Sequence, residues 1–367
     1  MPDPTDGAAA TELLAWLLAC QGTAAASAVY RFAGRPIEVT ASAAGVIGAV
    51  DAVVRPFFGA TAPGPPLARV QVTETPVPDR VLEILDAGDT IHLQSNRRRG
   101  EIVRVEGRRL RLPDGGHAIR PLRNRVVCGL WPAAGRLAVI GERPAAVTQL
   151  VLKDLFRRAA WTDTVSLHAA AVSAGGWAVL IAGGSGSGKT TLALSACFGQ
   201  GAGYIASDRS VLTTRSGCVD VAGWPTYVRV APGSLSRAEL APLSRVVTDV
   251  ENAKHVVPAG ALRDAGVRLE GGPTPVGVCL FPRLVDRDSG LVRLTEADGA
   301  AALAAVLHTW PEPLSPHWTG WFDAEPAAPD AASLIRRLAS QAHLFEARLA
   351  LGDDWPLRAW LRAEGVF

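Results

Sequence analysis

One run of the chain combines residue types and spacing that define a chemistry: Gly183-Gly184-Ser185-Gly186-Ser187-Gly188-Lys189-Thr190-Thr191. Glycines reach backbone angles closed to other residues, so successive N–H groups can curl around an anion. Lys189 adds a mobile positive charge for the β and γ phosphates, and the Thr190 hydroxyl can hold Mg²⁺. The pattern Gly-x-x-x-x-Gly-Lys-Thr is that of a polyphosphate-binding loop, for which ATP and Mg²⁺ are the implied ligands. Such a loop needs a strand before it and a helix after it, because the helix N-terminus contributes its own partial positive charge. The flanks meet that need: WAVLIA, residues 177–182, predicts a buried strand, and TTLALSACFG, residues 190–199, predicts a helix.

What is done to the nucleotide depends on the groups opposite the loop. Asp208 closes the next apolar segment, GYIASDRSVL, 19 residues after Lys189. It is the candidate for orienting an acceptor hydroxyl and taking its proton, and with Thr190 the candidate metal ligand. A plainer reading makes it a turn residue paired with Arg209. His168 precedes the strand that leads to the loop and either orients Asp208 or is a satisfied, partly buried side chain. Lys254 and His255, in VENAKHVVPAG, offer a cation to the transferred phosphate or a solvated surface. Trp224, Pro225 and Tyr227 either wall the adenine or simply pack. Asn-Lys-x-Asp, Leu-Ser-Gly-Gly-Gln and a four-residue apolar run ending in Asp-Glu are not found in the sequence.

Residues 167–212 resemble the catalytic core of the HPr kinase/phosphorylase superfamily, more closely its HPr-kinase-like members from biosynthetic gene clusters. His168, Gly188-Lys189-Thr190 and Asp208 carry the resemblance, with GWPTYVRV and AKHVVPAG as weaker matches; the first 150 residues lie outside it. It implies an α/β fold with a P-loop core of the HPr-kinase/PEP-carboxykinase type. It also implies ATP- and Mg²⁺-dependent transfer of the γ-phosphoryl group to a hydroxyl, on a Ser of a protein or peptide, a small carrier protein or a biosynthetic metabolite. Two departures bear on mechanism. HPr kinases proper carry Asp-Asp where this chain has Asp208-Arg209, and a Glu where it has Thr191, so metal binding rests on fewer carboxylates. RSGCVDVAGW lacks the Arg- and Gly-rich element associated with phosphorylase activity. A nucleotide-gated ATP-binding interaction protein without transfer therefore stays open beside the kinase; an ATP-dependent PEP carboxykinase shares a related core but is longer and needs additional metal- and oxaloacetate-binding residues that are not located.

The remaining chain has to position these groups. With 367 residues, 48% of them hydrophobic, it can bury a large core and is expected to form two domains. Residues 1–150 would be a smaller α+β domain for acceptor recognition or assembly, and residues 151–367 the P-loop catalytic domain. EIVRVEG, RRLRLPD and HAIRPLR read as strands joined by turns, and TQLVLKDLFRRAAW as a helix bridging the domains. The tail reads as a helix, a short strand or turn, and a last helix. Leu13–Cys20 predicts an amphipathic helix capped near Thr11. A formal charge of +2 argues against nucleic acid or an anionic membrane as partner of the whole molecule. No apolar stretch approaches the roughly 20 residues of a membrane span, and Asp3, Asp6 and Glu12 are the opposite of a signal-peptide leader. Five dispersed cysteines without a CxxC pair suggest small reduced core residues and a cytoplasmic protein. Homo-oligomerisation is compatible with all of this. Between Arg97 and Arg125 ten arginines face Glu101, Glu106 and Asp114, a stripe that is either solvated or a dock for an acidic peptide, carrier or nucleic acid.

Lys189→Ala is expected to remove most triphosphate affinity while leaving the fold intact, since the lysine neutralises ligand charge. Thermal shift with Mg-ATP measures it; equal stabilisation of variant and parent would refute the loop assignment.

Overall fold

The computed structural model describes residues 4–32, 35–57, 65–98, 101–121, 124–160, 164–251, 253–308, 318–320 and 330–366. The chain divides into two compact units, one of residues 1–51, 60–160 and 310–326, the other of 52–59, 161–309 and 327–367. The division thus falls after residue 160 rather than at 150, and the expected bridging helix belongs wholly to the first unit.

In the first unit, β1 (Ala26–Phe32), β2 (Arg35–Ala41), β3 (Ala68–Glu74) and β4 (Asp89–Arg98) share a mixed sheet with β5 (Glu101–Arg111), β6 (His117–Pro121), β7 (Val126–Trp131) and β8 (Arg136–Gly141). Their order is β1-β2-β3-β8-β7-β6-β5-β4. The helices are α1 (Pro4–Ala19), α2 (Ala44–Val54), α3 (Asp79–Asp86) and α4 (Ala145–Ala160). EIVRVEG and RRLRLPD, expected as separate strands, run together in β5, and Asp114-Gly115 makes the turn to β6. Leu13 and Leu17 of α1 join Val81, Leu82 and Leu85 of α3 in a core with Trp131 and Ile140. The helix starts earlier than expected, and Thr11 is no cap: its hydroxyl donates to the Gly7 carbonyl inside α1, 2.8 Å away.

Part of the arginine stripe has an internal task. Arg120 Nη1 donates to Asp86 and to the Leu82 carbonyl, Arg125 Nη2 donates to Asp79 and the Val77 carbonyl, and Arg108 Nη1 donates to the Gly88 carbonyl. Arg120 and Arg125 therefore hold the two ends of α3, and Arg108 the turn that follows it. The side chains of Arg97–Arg99, Arg104 and Arg123 lie outside the described residues.

The second unit holds the predicted loop. β9 (Thr164–Leu167), β10 (Ala169–Ala174), β11 (Trp177–Ala182), α5 (Lys189–Gln200), β12 (Gly203–Ala206), β13 (Ser210–Arg215) and β14 (Cys218–Gly223) come first. A small sheet follows, made of β15 (Val228–Val230), β16 (Asp249–Glu251) and β17 (Lys254–Val257), with the short α6 (Pro232–Leu235) and α7 (Ala261–Asp264) between its parts and after it. β18 (Thr274–Val285), β19 (Gly290–Arg293), α8 (Glu296–Ala304), α9 (Ala331–Gln341), β20 (His343–Ala350) and α10 (Leu357–Ala363) complete it. β11 pairs in parallel with β18, and β18 in parallel with β20. The tail strand, expected to be short, is instead an eight-residue member of this parallel centre.

Alternate side chains of the central strands enter two cores. Val172, Val179, Ile181, Phe345 and Leu349 meet α5 and α10 through Leu192, Leu357 and Leu361. Ala171, Ala178, Leu180 and Leu344 meet α8 and α9 through Leu303, Ile335 and Leu338. Burial on both faces explains why AAAVSA and WAVLIA are apolar almost throughout instead of alternating. Of the cysteines, Cys128, Cys197 and Cys279 are buried as expected, but Cys218 is exposed. Among the described residues no helix is long and apolar enough to cross a membrane.

Because Phe345 is fully buried in the parallel centre, Phe345→Ala is expected to cost about 3–5 kcal/mol. Urea denaturation measures it, and a loss below about 1 kcal/mol would contradict this packing.

Candidate functional site

The loop lies between the end of β11 and the start of α5, as its chemistry requires. Gly186 and Gly188 have φ of +83° and +95°, so both need glycine for their backbone. At Gly183 a Cβ would stand 2.8 Å from the Ser187 hydroxyl, which would have to turn aside. Gly184 is crowded by nothing within 4 Å. No side chain caps α5 at Gly188, which suits a helix end that receives an anion. The Ser187 hydroxyl is buried without a hydrogen-bond partner among the described residues. An anion that accepts from it would satisfy it.

Strand pairing brings the next two candidates together. Leu167 at the end of β9 faces Ser210 at the start of β13, and Ala171 of β10 faces Ala206 of β12. The two junctions between these pairs are His168 and Ser207-Asp208-Arg209, which must therefore lie side by side. His168 Nε2 is 3.2 Å from Asp208 Oδ1, and the His168 amide is fixed to the Val306 carbonyl at 2.9 Å. Arg209, the partner in the plainer reading of Asp208, lies over the Trp224 ring, 5.7 Å from its centroid, while the Asp208 side chain hydrogen-bonds with His168. Thr190 Oγ1 donates to the Ser207 carbonyl at 3.2 Å, tying the first turn of α5 to the same junction. Thr191, at the position where HPr kinases carry Glu, exchanges a hydrogen bond with Ser234 of α6 at 2.7 Å.

These groups line a cavity of about 720 Å³ within the second unit. Ser185, Gly186, Gly188, Lys189, Thr190, Thr191, His168 and Asp208 all contribute to its wall. Lys189 is only 5% exposed and donates from Nζ to the Gly184 carbonyl at 2.6 Å. Burial pulls its pKa down to about 8, against the opposing charge of Asp208 and helped by the like charge of Lys254. The Asp208 side chain is 57% exposed on the cavity wall. Its hydrogen bond with His168 leads in holding it down to about 2; burial opposes, while the charges of His168, Arg229 and Lys189 assist.

Lys254 joins the site, from the tip of the β16–β17 hairpin. Its neighbour Ala253 has φ +59°, a left-handed conformation that costs an L-residue roughly 1 kcal/mol. His255, Trp224 and Tyr227 are not among the residues that line this cavity. Arg229 and Arg237 are functional candidates that sequence reading did not single out. Arg229 Nε and Nη2 both donate to Glu251 Oε2, at 3.0 and 2.8 Å. Arg229 lies on β15 and Glu251 on β16, while Arg237 follows α6, so no local pattern announces either arginine.

The residues present fit the ligands that the loop implies. Thr190 uses its hydrogen toward Ser207, leaving oxygen lone pairs for a cation, and Asp208 supplies one carboxylate. Among the described residues no cluster of three or more His, Cys, Asp or Glu could hold a metal by itself. Mg²⁺ does not need one, since it binds through one or two protein oxygens, water and substrate phosphates.

No family model matches the sequence, and no curated protein matches it. Among solved structures the chain is similar to the HPr(Ser) kinase/phosphatase from Coxiella burnetii, with 11% sequence identity and a TM-score of 0.26 over 55% of this chain and 92% of that one. What this chain does is drawn below from its own residues.

Polyphosphate binds the protonated lysine, and a bound anion raises that lysine's pKa. ATP affinity is therefore expected to be level below about pH 8, where free Lys189 is protonated, and to fall as pH rises above it. Calorimetric titration from pH 7 to 9.5 measures this; an affinity flat across that range would remove Lys189 from the binding equilibrium.

Proposed function

We propose that this chain is an ATP- and Mg²⁺-dependent kinase that transfers the γ-phosphoryl group to a hydroxyl, on a Ser of a protein or peptide or on a small biosynthetic intermediate. The observation that carries the reading is the convergence of Asp208, His168 and Lys189 on one cavity with the glycine loop. Phosphoryl transfer demands little covalent work from a protein and much positioning and charge neutralisation. Loop 183–188 and the start of α5 hold the phosphates; Lys189, Arg229 and Lys254 place positive charge where the transferred oxygens gain negative charge. Mg²⁺, held through Thr190 and Asp208, supplies further neutralisation of phosphate oxygens when bound.

Asp208, ionised throughout the neutral range, accepts a hydrogen bond from the acceptor hydroxyl and aims its oxygen at the γ-phosphorus. The new oxygen–phosphorus bond forms as the bond to the β–γ bridging oxygen breaks and ADP departs. A carboxylate with a pKa near 2 is a weak base. It takes the hydroxyl proton late, once bonding to phosphorus has made that hydroxyl acidic. His168 holds the carboxylate in place through Oδ1. The first unit would serve acceptor recognition or assembly.

The single carboxylate also favours a second reading, an ATP-binding interaction protein without transfer. Asp208→Asn separates the two, because asparagine keeps the size and loses the charge. In the kinase it should retain ATP binding and lose transfer of label from ATP by about 10²-fold or more. If Asp208 acts chiefly on the metal, added Mn²⁺ should recover part of the rate. Label that never leaves ATP with the parent protein and cell extract would support the binding protein, and an Asn variant working at the parent rate would exclude Asp208 from the mechanism.

A further inference from the structure

The same cavity is lined by side chains for which phosphoryl transfer has no use: Arg237, Trp355, Leu284 and Leu351. The Arg237 guanidinium carbon lies 4.2 Å above the centroid of the Trp355 ring. Two hydrogen bonds fix it there, from Nε to Glu239 Oε1 at 2.7 Å and from Nη2 to the Asp353 carbonyl at 3.1 Å. Trp355 is itself buried and anchored by its indole N–H to the Ala350 carbonyl at 3.1 Å. The result is a rigid flat cation whose charge is already matched by Glu239. Leu284 and Leu351 are 45% and 77% exposed, unusual for large apolar side chains at one cavity.

A flat guanidinium and apolar side chains together suit a flat aromatic ring, since arginine planes stack on rings as aromatic side chains do. Two observations set this surface within reach of a nucleotide whose phosphates lie on the loop. A Cβ on Gly188 would stand 3.7 Å from Leu284, so that leucine adjoins the loop. Glu239 also accepts from Ser195 of α5 at 2.7 Å, which attaches the platform six residues beyond Lys189, about 9 Å along the helix. The cavity volume lies within the ~300–1,000 Å³ of small-molecule sites.

We propose that Arg237, backed by Trp355, is the stacking platform for the nucleobase of the bound nucleoside triphosphate, with Leu351 closing on the opposite face of the ring. The proposal rests on the nucleotide-binding reading above and specifies where the base lies.

Titration calorimetry of the full chain with Mg-ATP and with Mg-tripolyphosphate, which has no base, tests it. Arg237→Lys keeps the charge and loses the plane, and Leu351→Ala removes an exposed side chain with no demand on the fold. Each is expected to weaken ATP about tenfold and to leave tripolyphosphate within about twofold. Equal loss for both ligands, or no loss for ATP with Leu351→Ala, would overturn the platform while leaving the phosphate loop standing. A parent protein that binds neither ligand would overturn the nucleotide reading and the platform with it. Unchanged ATP affinity with a raised acceptor KM would give the platform to the acceptor and defeat the proposal. Should Arg237→Lys fail to fold, Leu351→Ala alone decides.

Discussion

The site depends on a lysine ammonium buried at the N-terminus of a helix. That position is doubly unfavourable: the cation loses its water, and it meets the positive end of the α5 dipole. The loss of water, with the like charge of Lys254, lowers its pKa to about 8. The Gly184 carbonyl and the nearby Asp208 charge compensate only in part. A polyphosphate, the ligand proposed for this loop, would supply the missing negative charge and accept from the helix N–H groups. The glycines at 186 and 188 make this possible, because only their left-handed backbone turns the chain from β11 into α5 so tightly.

A charged group can be held there only if everything beneath it is firm. The parallel centre β11-β18-β20 is buried on both faces, and its end at Leu284 and Leu349 packs directly under Gly188. The flanking strands β10 and β12 are paired antiparallel, so their ends rather than a long loop deliver His168 and Asp208 to the same spot. Ser210 Oγ, donating to the Ala169 carbonyl at 3.0 Å, locks the two junctions together. The His168–Asp208 geometry is therefore a consequence of sheet register. A one-residue slip in either ladder would turn the side chains to the other face.

This division explains what was legible in the sequence. The loop, its strand and its helix are contiguous, so their types and spacing survive in a linear reading, and the helix over 145–160 announces itself by its periodicity. Asp208 could be placed because one helix and one strand separate it from the loop. The Arg237–Trp355 stack could not, since 118 positions separate its members and they meet only where both segments hydrogen-bond near α5, Glu239 to Ser195 and the Trp355 carbonyl to Gln200. Arg229 and Glu251 are 22 positions apart and meet only because β17 pairs with both β15 and β16. The arginine stripe misled for a different reason: charge on a strand looks solvated in sequence, and nothing local reveals that Arg120 and Arg125 turn to the two ends of α3.

Arg229 and Arg237 reach the cavity by one device used twice. Each guanidinium is tied to a carboxylate of its own, Glu251 or Glu239, before any ligand arrives. A long flexible arginine beside Asp208 would otherwise fold onto that carboxylate and make a bidentate pair, the strongest contact open to it. Such a pair would occupy the oxygens that an acceptor hydroxyl needs. With Arg229 tethered, its field still lowers the Asp208 pKa, while the only close side-chain partner of Asp208 among the described residues is His168, through Oδ1. Holding Arg229 on Glu251 keeps it off Asp208, and in the proposed kinase, with one carboxylate at this junction instead of two, the availability of that carboxylate to an acceptor is the condition on which transfer would rest.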